Sequence, residues 1–145
     1  MEFVEYSPTH EKACLELFDL NCPGFFAPNE RDDYKAFLAG SPVGYRVILL
    51  DQKVVAAFGF RIQQPKGRGL ISWIMVSPEC KGQGVGSEMM ARVRQAAKEN
   101  ETPVVDIAAS HLSAPFFSRF GATEIDTLPH GWGPGMHRVN MEWVV

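Results

Sequence analysis

A chain of 145 residues, 46% hydrophobic and 21% charged, has the length of one domain (residues 1–145) and enough apolar content for a core, which excludes a disordered reading. Its formal net charge of −3 argues against a general affinity for nucleic acid or an anionic membrane. The acidic start Met-Glu-Phe-Val-Glu-Tyr does not fit a signal peptide, no apolar run reaches spanning length, and Cys14, Cys22 and Cys80 lack paired metal-ligand spacing. A cytoplasmic protein with free thiols and no metal is expected.

Phe3 to Tyr6 reads as a first strand, broken by Ser7-Pro8-Thr9, which also offers a helix cap. Ala13, Cys14, Leu17 and Phe18 then recur at helical spacing until Cys22-Pro23-Gly24, and a second helix is expected from Asn29 to Leu38, stopped by Gly40-Ser41-Pro42. Tyr45 to Leu50 and Val54 to Ile62 read as strands joined by a tight turn at Asp51-Gln52-Lys53. A turn at Pro65 to Gly69 leads into a third, Leu70 to Val76, so three antiparallel strands follow in a row. Met89, Met90, Val93, Ala96 and Ala97 mark a long helix, after which Pro103 to Ala109 is a nearly continuous apolar strand. A crossover through a helix favours parallel pairing of that strand with the one before the helix. Ser113-Ala114-Pro115-Phe116-Phe117 starts a short helix closed by Gly121. Thr123 to Leu128 and Arg138 to Val145 can form a last hairpin across a long connection, Pro129 to His137. The resulting order, β-α-α-β-β-β-α-β-α-β-β, predicts an α/β mixed sheet with helices on both faces.

Between the third of the antiparallel strands and the long helix stands Val76-Ser-Pro-Glu-Cys-Lys-Gly-Gln-Gly-Val-Gly-Ser87. Three alternating glycines let backbone N–H groups converge without Cβ obstruction, and the following helix adds its unpaired N–H groups and dipole. That combination binds an anion, most simply a phosphate. It is not a P-loop, because the one nearby lysine, Lys81, precedes the glycines. Nor is it a dinucleotide fingerprint, because Gly86 follows Gly84 by two positions and Ser87 stands at the third.

Lys81, Gly84 and Gly86, after the lead-in Val76-Ser77-Pro78-Glu79, resemble the signature of the GNAT (Gcn5-related) N-acetyltransferases: Arg or Gln, two residues, Gly, one residue, then Gly or Ala. Lysine in the first position is a departure that keeps the positive charge. The resemblance extends over nearly the whole chain in element order, and it implies a GNAT-like fold and a transfer of acetyl from acetyl-CoA to an amine. It further implies that Lys81, Gly82, Gln83, Gly84, Val85, Gly86 and Ser87 hold the pyrophosphate. The backbone of Ile74, Met75 and Val76 would pair with the pantetheine where two strands splay, and an N–H near Met75 or Val76 would stabilise the oxyanion. Ala108 to Ser110 is the facing edge of that splay.

Acetyl transfer to an amine also needs a base, because a lysine-like amine is neutral in only about one molecule per thousand or fewer at pH 7. Many members of that family carry Glu on the fourth strand, and Leu70 to Met75 contains no acid. His111, just beyond the fifth strand, is the nearest imidazole and the first candidate, set against the reading of a solvent-facing histidine at a strand end. Where many members have Tyr to protonate the leaving thiolate, four residues before the glycine that ends the short helix, this chain has Phe117; Ser110 or Ser113 could supply a hydroxyl instead. Asp106, in an apolar strand, reads as a structural carboxylate needing a partner. Phe25, Phe26, Tyr34, Trp132 and Met136 offer apolar walls and Glu30, Asp32 and Asp33 negative charge for an amine acceptor, small molecule or protein, with His130 and His137 on the late loop beside them.

The sequence is also compatible with two other classes: a non-catalytic acyl-CoA-binding sensor using the same loop, and an interaction domain with no CoA affinity. A homodimer is compatible with the sequence and not required by it.

Overall fold

The computed structural model describes residues 1–65 and 67–145. Among these, the strands are β1 (Glu2–Glu5), β2 (Tyr45–Leu50), β3 (Lys53–Gln63), β4 (Arg68–Val76), β5 (Val104–Ser110), β6 (Thr123–Gly133) and β7 (Met136–Val144). The α-helices are α1 (Glu11–Leu20), α2 (Glu30–Ala39), α3 (Val85–Glu99) and α4 (Ala114–Ser118). The strands form one sheet in the order β1-β2-β3-β4-β5-β7-β6, antiparallel except for β4 with β5. The crossover through α3 thus gives the expected parallel pair. The turn expected at Pro65 to Gly69 includes Lys66, which lies outside the described residues.

Alternation along the central strands sorts side chains onto two faces. Ile48, Ala56, Phe58 and Val105 join Val85, Met89, Met90, Val93 and Ala97 of α3 in one core. Their neighbours Val47 and Ala57, with Tyr45 and Met75, join Cys14, Leu17 and Phe18 of α1 and Tyr34 and Leu38 of α2 in the other. Helices therefore cover both faces. α4 lies on the α3 side, where Phe117 is buried. Cys14 is a core residue, and burial pushes its thiol up to about 11, against a hydrogen bond with Tyr34.

Several ends shift by one or two residues, β4 already starting at Arg68 within the expected turn, and three differences bear on the turns and the site. Lys53 already pairs with Leu50, so the β2–β3 turn is the two residues Asp51-Gln52, both at positive φ as a tight hairpin requires. α3 starts at Val85, which places Gly86 and Ser87 in its first turn instead of the loop. The connection expected from Pro129 to His137 is mostly strand: β6 runs to Gly133 and β7 resumes at Met136. β6 is an edge strand, where Pro129 need not donate to a ladder, and an irregular register between Leu128 and Gly133 absorbs the glycines.

Asp106 is a structural carboxylate. Arg68 donates to it at 2.7 Å and to Glu142 at 2.6 Å, while Gln63 donates to Asp106 at 2.8 Å. These residues belong to β3, β4, β5 and β7, so the cluster fastens the parallel seam at one end.

Candidate active site

The seam held by Arg68 and Asp106 is short. β4 and β5 pair only from Gly69 to Ile71 against Val105 to Ile107. Beyond Ile71 the strands part because β4 carries a bulge: Ser72 faces Gly59 and Met75 faces Ala57, so Trp73 and Ile74 together oppose the single residue Phe58. Such an extra residue bends its strand and increases its twist. Trp73 sits at φ +44, a conformation that a bulky side chain adopts only when its surroundings impose it. The surroundings are identifiable. The Tyr45 hydroxyl donates to the Trp73 carbonyl at 2.7 Å, and Tyr34 and Tyr45 share a hydroxyl–hydroxyl bond of 2.8 Å, both rings being buried. Opposite the bulge, a Cβ on Gly59 would land on Ser72 Oγ and lie 3.0 Å from the Tyr45 ring.

The parted strands open a cleft of about 1270 Å³. At one end stands the glycine loop, with Gly82 and Gly84 both at φ +79 and no atom within 4 Å of a Cβ placed on either. Gly86 meets a different need. It is in the first turn of α3, and a Cβ there would lie 2.7 Å from the Phe116 ring of α4. The loop is pinned from behind by Ser77, whose Oγ accepts from the Glu79 N–H at 3.3 Å and whose carbonyl accepts from the Cys80 N–H.

Most of the residues expected here from sequence share this cleft. Ile74, Met75 and Val76 form one wall, Lys81, Gly82, Gly84, Val85, Gly86 and Ser87 the loop end, and Ser110, Ser113 and Phe117 the wall opposite. Ser110 Oγ and Ser113 Oγ are 3.1 Å apart. Gln83 is not among the lining residues; its amide reaches back to the Glu79 carbonyl. His111 is also elsewhere. Its neighbours Ser110 and Leu112 face the cleft, whereas its own ring lines a second cavity with His137, Glu124 and Thr127. There, His111 Nδ1 accepts from the His137 N–H at 3.2 Å, and His137 Nδ1 accepts from the His130 N–H at 2.9 Å. These histidines fasten the β6–β7 hairpin. Met136 is buried, but like His111 it does not line the cleft.

The other end of the cleft is built from the α1–α2 connection and the tip of the β6–β7 hairpin. Asn29 Nδ2 donates to the Trp132 carbonyl at 2.8 Å, and the indole N–H of Trp132 donates to the Ala109 carbonyl at 2.9 Å. Phe26 stacks on Trp73 with centroids 6.0 Å apart. Glu30 lines this end yet is 4% exposed, with Oε2 accepting from the Ala27 N–H at 2.8 Å. Burial, opposed by that N–H and reinforced by Asp33, pushes its carboxyl up to about 6. Asp32 and Asp33, grouped with Glu30 on sequence, are exposed and line no part of the cleft.

The raised value has a consequence for folding. The folded chain binds this proton more tightly than the unfolded one, whose value is near 4.5, so the ionised carboxylate destabilises above about pH 6 and the penalty fades as pH falls towards 4.5. Glu30→Gln is therefore expected to raise stability at pH 8 by up to about 2 kcal/mol relative to its effect at pH 4. Thermal denaturation at the two pH values checks this; a larger loss at pH 8 than at pH 4 would contradict it.

Arg119, Asn21, Trp73 and Arg138 also line the cleft, and no sequence motif points to them. Arg119 follows the last turn of α4 and lies over Phe116 at 5.6 Å, next to the glycine loop only because Phe116 packs on Gly86. Arg138 lies 4.9 Å over the Trp132 ring. No spacing in the sequence announces either approach. The described residues contain no group of three His, Cys, Asp or Glu side chains able to hold a metal, and no helix long and apolar enough to cross a membrane.

Solved structures with the same architecture include a protein from Desulfovibrio desulfuricans designated a GNAT-family acetyltransferase, at 18% identity and TM-score 0.80 over 99% of this chain and 98% of that one. Ard1 from Thermoplasma volcanium matches at 15% identity and TM-score 0.82 over 99% and 97%. An aminoglycoside 6'-N-acetyltransferase complexed with coenzyme A matches at 10% identity and TM-score 0.75, also over 99% and 97%. At such identities these likenesses establish the fold. The model of the acetyltransferase (GNAT) family matches residues 14–122, from within α1 up to the start of β6, and this chain belongs to that family.

Proposed function

We propose that residues 1–145 form one acyltransferase domain, an N-acetyltransferase moving acetyl from acetyl-CoA to a primary amine in the cytoplasm. The observation that carries this reading is the seam between β4 and β5, which parts at a fixed bulge and ends on a left-handed glycine loop at the N-terminus of α3. The unpaired edge of Ile74 to Val76 can hydrogen-bond the pantetheine amides as a neighbouring strand would. The N–H groups of Gly82 to Ser87 and the α3 dipole receive the pyrophosphate, with Lys81 and Arg119 as flanking charges. An N–H at Met75 or Val76 then stabilises the oxyanion formed when the amine adds to the thioester carbon. Coenzyme A in the structurally similar aminoglycoside acetyltransferase supports this choice of cosubstrate.

Phe117, which carries no hydroxyl, favours a second reading: a sensor that binds acyl-CoA without transferring it. Titration with acetyl-CoA, followed by thiol release in the presence of a broad panel of primary amines, separates the two. Binding with turnover supports the enzyme; binding without turnover on any amine supports the sensor.

For the enzyme, the lost proton donor matters little. A leaving thiol of pKa near 8.5 is about 1.5 units from pH 7, so its proton is worth roughly 2 kcal/mol at most. Water or the Ser110–Ser113 pair supplies it, and Phe117→Tyr is expected to change kcat by about tenfold or less. Steady-state kinetics at saturating acetyl-CoA measure this directly. Turnover that appears only in Phe117→Tyr would establish the sensor instead.

A further inference from the structure

The cleft contains one carboxyl among its described lining residues, that of Glu30, and no imidazole. Its other lining charges are cationic: Lys81, Arg119 and Arg138. β4 and β5 contribute only apolar and hydroxyl side chains to its walls. Glu30 is held in place from below, since Oε2 accepts from the Ala27 N–H at 2.8 Å while Oε1 has no hydrogen bond to the described residues. The segment bearing it is fixed across the cleft through Asn29 and the Trp132 carbonyl, and against the bulge through the Phe26–Trp73 stack.

We propose that Glu30 is the catalytic base of this site, and that its acceptor is a primary monoamine with an apolar body. The proposal rests on the acetyltransferase reading above. The acceptor ammonium gives one proton to the Glu30 carboxylate, directly or through a single water. The freed nitrogen lone pair forms the N–C bond at the thioester carbonyl, whose π electrons move to oxygen. Collapse of that adduct breaks the C–S bond. The nitrogen sheds its second proton, the departing thiolate takes one up through water or the serine pair, and Glu30 returns its own proton to solvent. The products are the amide, the thiol and one proton.

The charge balance selects the acceptor. One buried carboxylate attracts one ammonium, and Arg138 over Trp132 repels a second positive group at the same end of the cleft. Phe25, Phe26 and Trp132 would enclose the apolar body. Among the described residues, Asp33 on its own helix and Cys22 in the connection before it interact electrostatically with Glu30, and Arg138 of β7 is a cation lining the same cleft.

The test compares wild type, Glu30→Gln and Glu30→Asp by thiol release with phenethylamine, spermidine and kanamycin, and by calorimetric titration with CoA. Wild type is expected to prefer phenethylamine over the two polycations by tenfold or more in kcat/KM. Its kcat/KM should show an ionisation near pH 6 in addition to that of the amine. Glu30→Gln should lose at least a hundredfold in kcat on the scale of general-base catalysis, lose the pH 6 limb and keep CoA affinity. Glu30→Asp, which retains the charge with a shorter reach, should recover part of the rate and the limb. If wild type turns over and Glu30→Gln matches it in rate and pH profile, the base assignment is overturned while the enzyme reading stands. Turnover of polycations in preference to phenethylamine overturns the acceptor class. If CoA binds and no amine is acetylated, the transferase reading falls and the assignment falls with it.

Discussion

Gly84→Val is expected to lose about a hundredfold in CoA affinity with the fold intact, an effect of about 3 kcal/mol. Two contributions add. Gly84 sits at φ +79, where a residue with a Cβ is disfavoured by roughly 1–2 kcal/mol, so the loop relaxes and its N–H groups no longer converge. Each charge-assisted hydrogen bond to phosphate that is lost removes roughly 1.5–3 kcal/mol. The fold is spared because a Cβ at Gly84 meets no atom within 4 Å, so no packed side chain has to move. Isothermal titration with CoA and thermal denaturation of the same variant read the two effects separately. Unchanged affinity would remove this loop from the phosphate site. Gly86 makes the contrast, since a side chain there strikes the Phe116 ring and should weaken the α3–α4 packing before it weakens CoA binding.

The parts of this molecule legible in the sequence are those written in local chemistry. Helical spacing from Met89 to Ala97, the apolar run of β5 and the Gly and Pro punctuation between elements were enough to set the order of elements along the chain and to place a parallel pair beside the glycine loop. The same local reading erred where long-range pairing outweighs composition. Pro129, Gly131, Gly133, Pro134 and Gly135 read as a loop, but β7 offers a partner strand and the histidine side chains satisfy backbone N–H groups around the tip. His111 stands one residue from the cleft wall in sequence, yet the turn that follows β5 leaves Ser110 and Leu112 lining the cleft and places the ring between them in the second cavity. Glu30 stood beside Asp32 and Asp33 in an acidic helix start. Only the fold distinguishes it, because Ala27 draws that one carboxylate inward and leaves its neighbours in water.

The bulge at Trp73 is the least legible feature and the one on which the cleft depends. Nothing in Leu70 to Val76 marks a left-handed residue, for no Gly or Asn stands there. The conformation is imposed from β2, twenty-eight positions away in sequence, by the hydroxyl of Tyr45. Tyr45→Phe is therefore expected to lower stability by roughly 1–3 kcal/mol, the usual consequence of leaving a carbonyl inside the protein without its donor. It should also lower kcat by tenfold or more if the bulge then shifts, because the oxyanion donor proposed at Met75 or Val76 would lie just beyond Trp73 and would tolerate little displacement. CoA affinity should fall less than in Gly84→Val, since the glycine loop is untouched. Tyr34→Phe is the control. It removes the hydroxyl bonded to Tyr45 but leaves the bond from Tyr45 to Trp73 in place, so its stability loss should be of similar size while kcat changes little. Denaturant unfolding and steady-state kinetics on both variants decide the matter. Equal rates in the two would mean that the strand keeps its bulge without the tyrosine, and that the packing of Gly59 against Ser72 and Tyr45 holds it open instead.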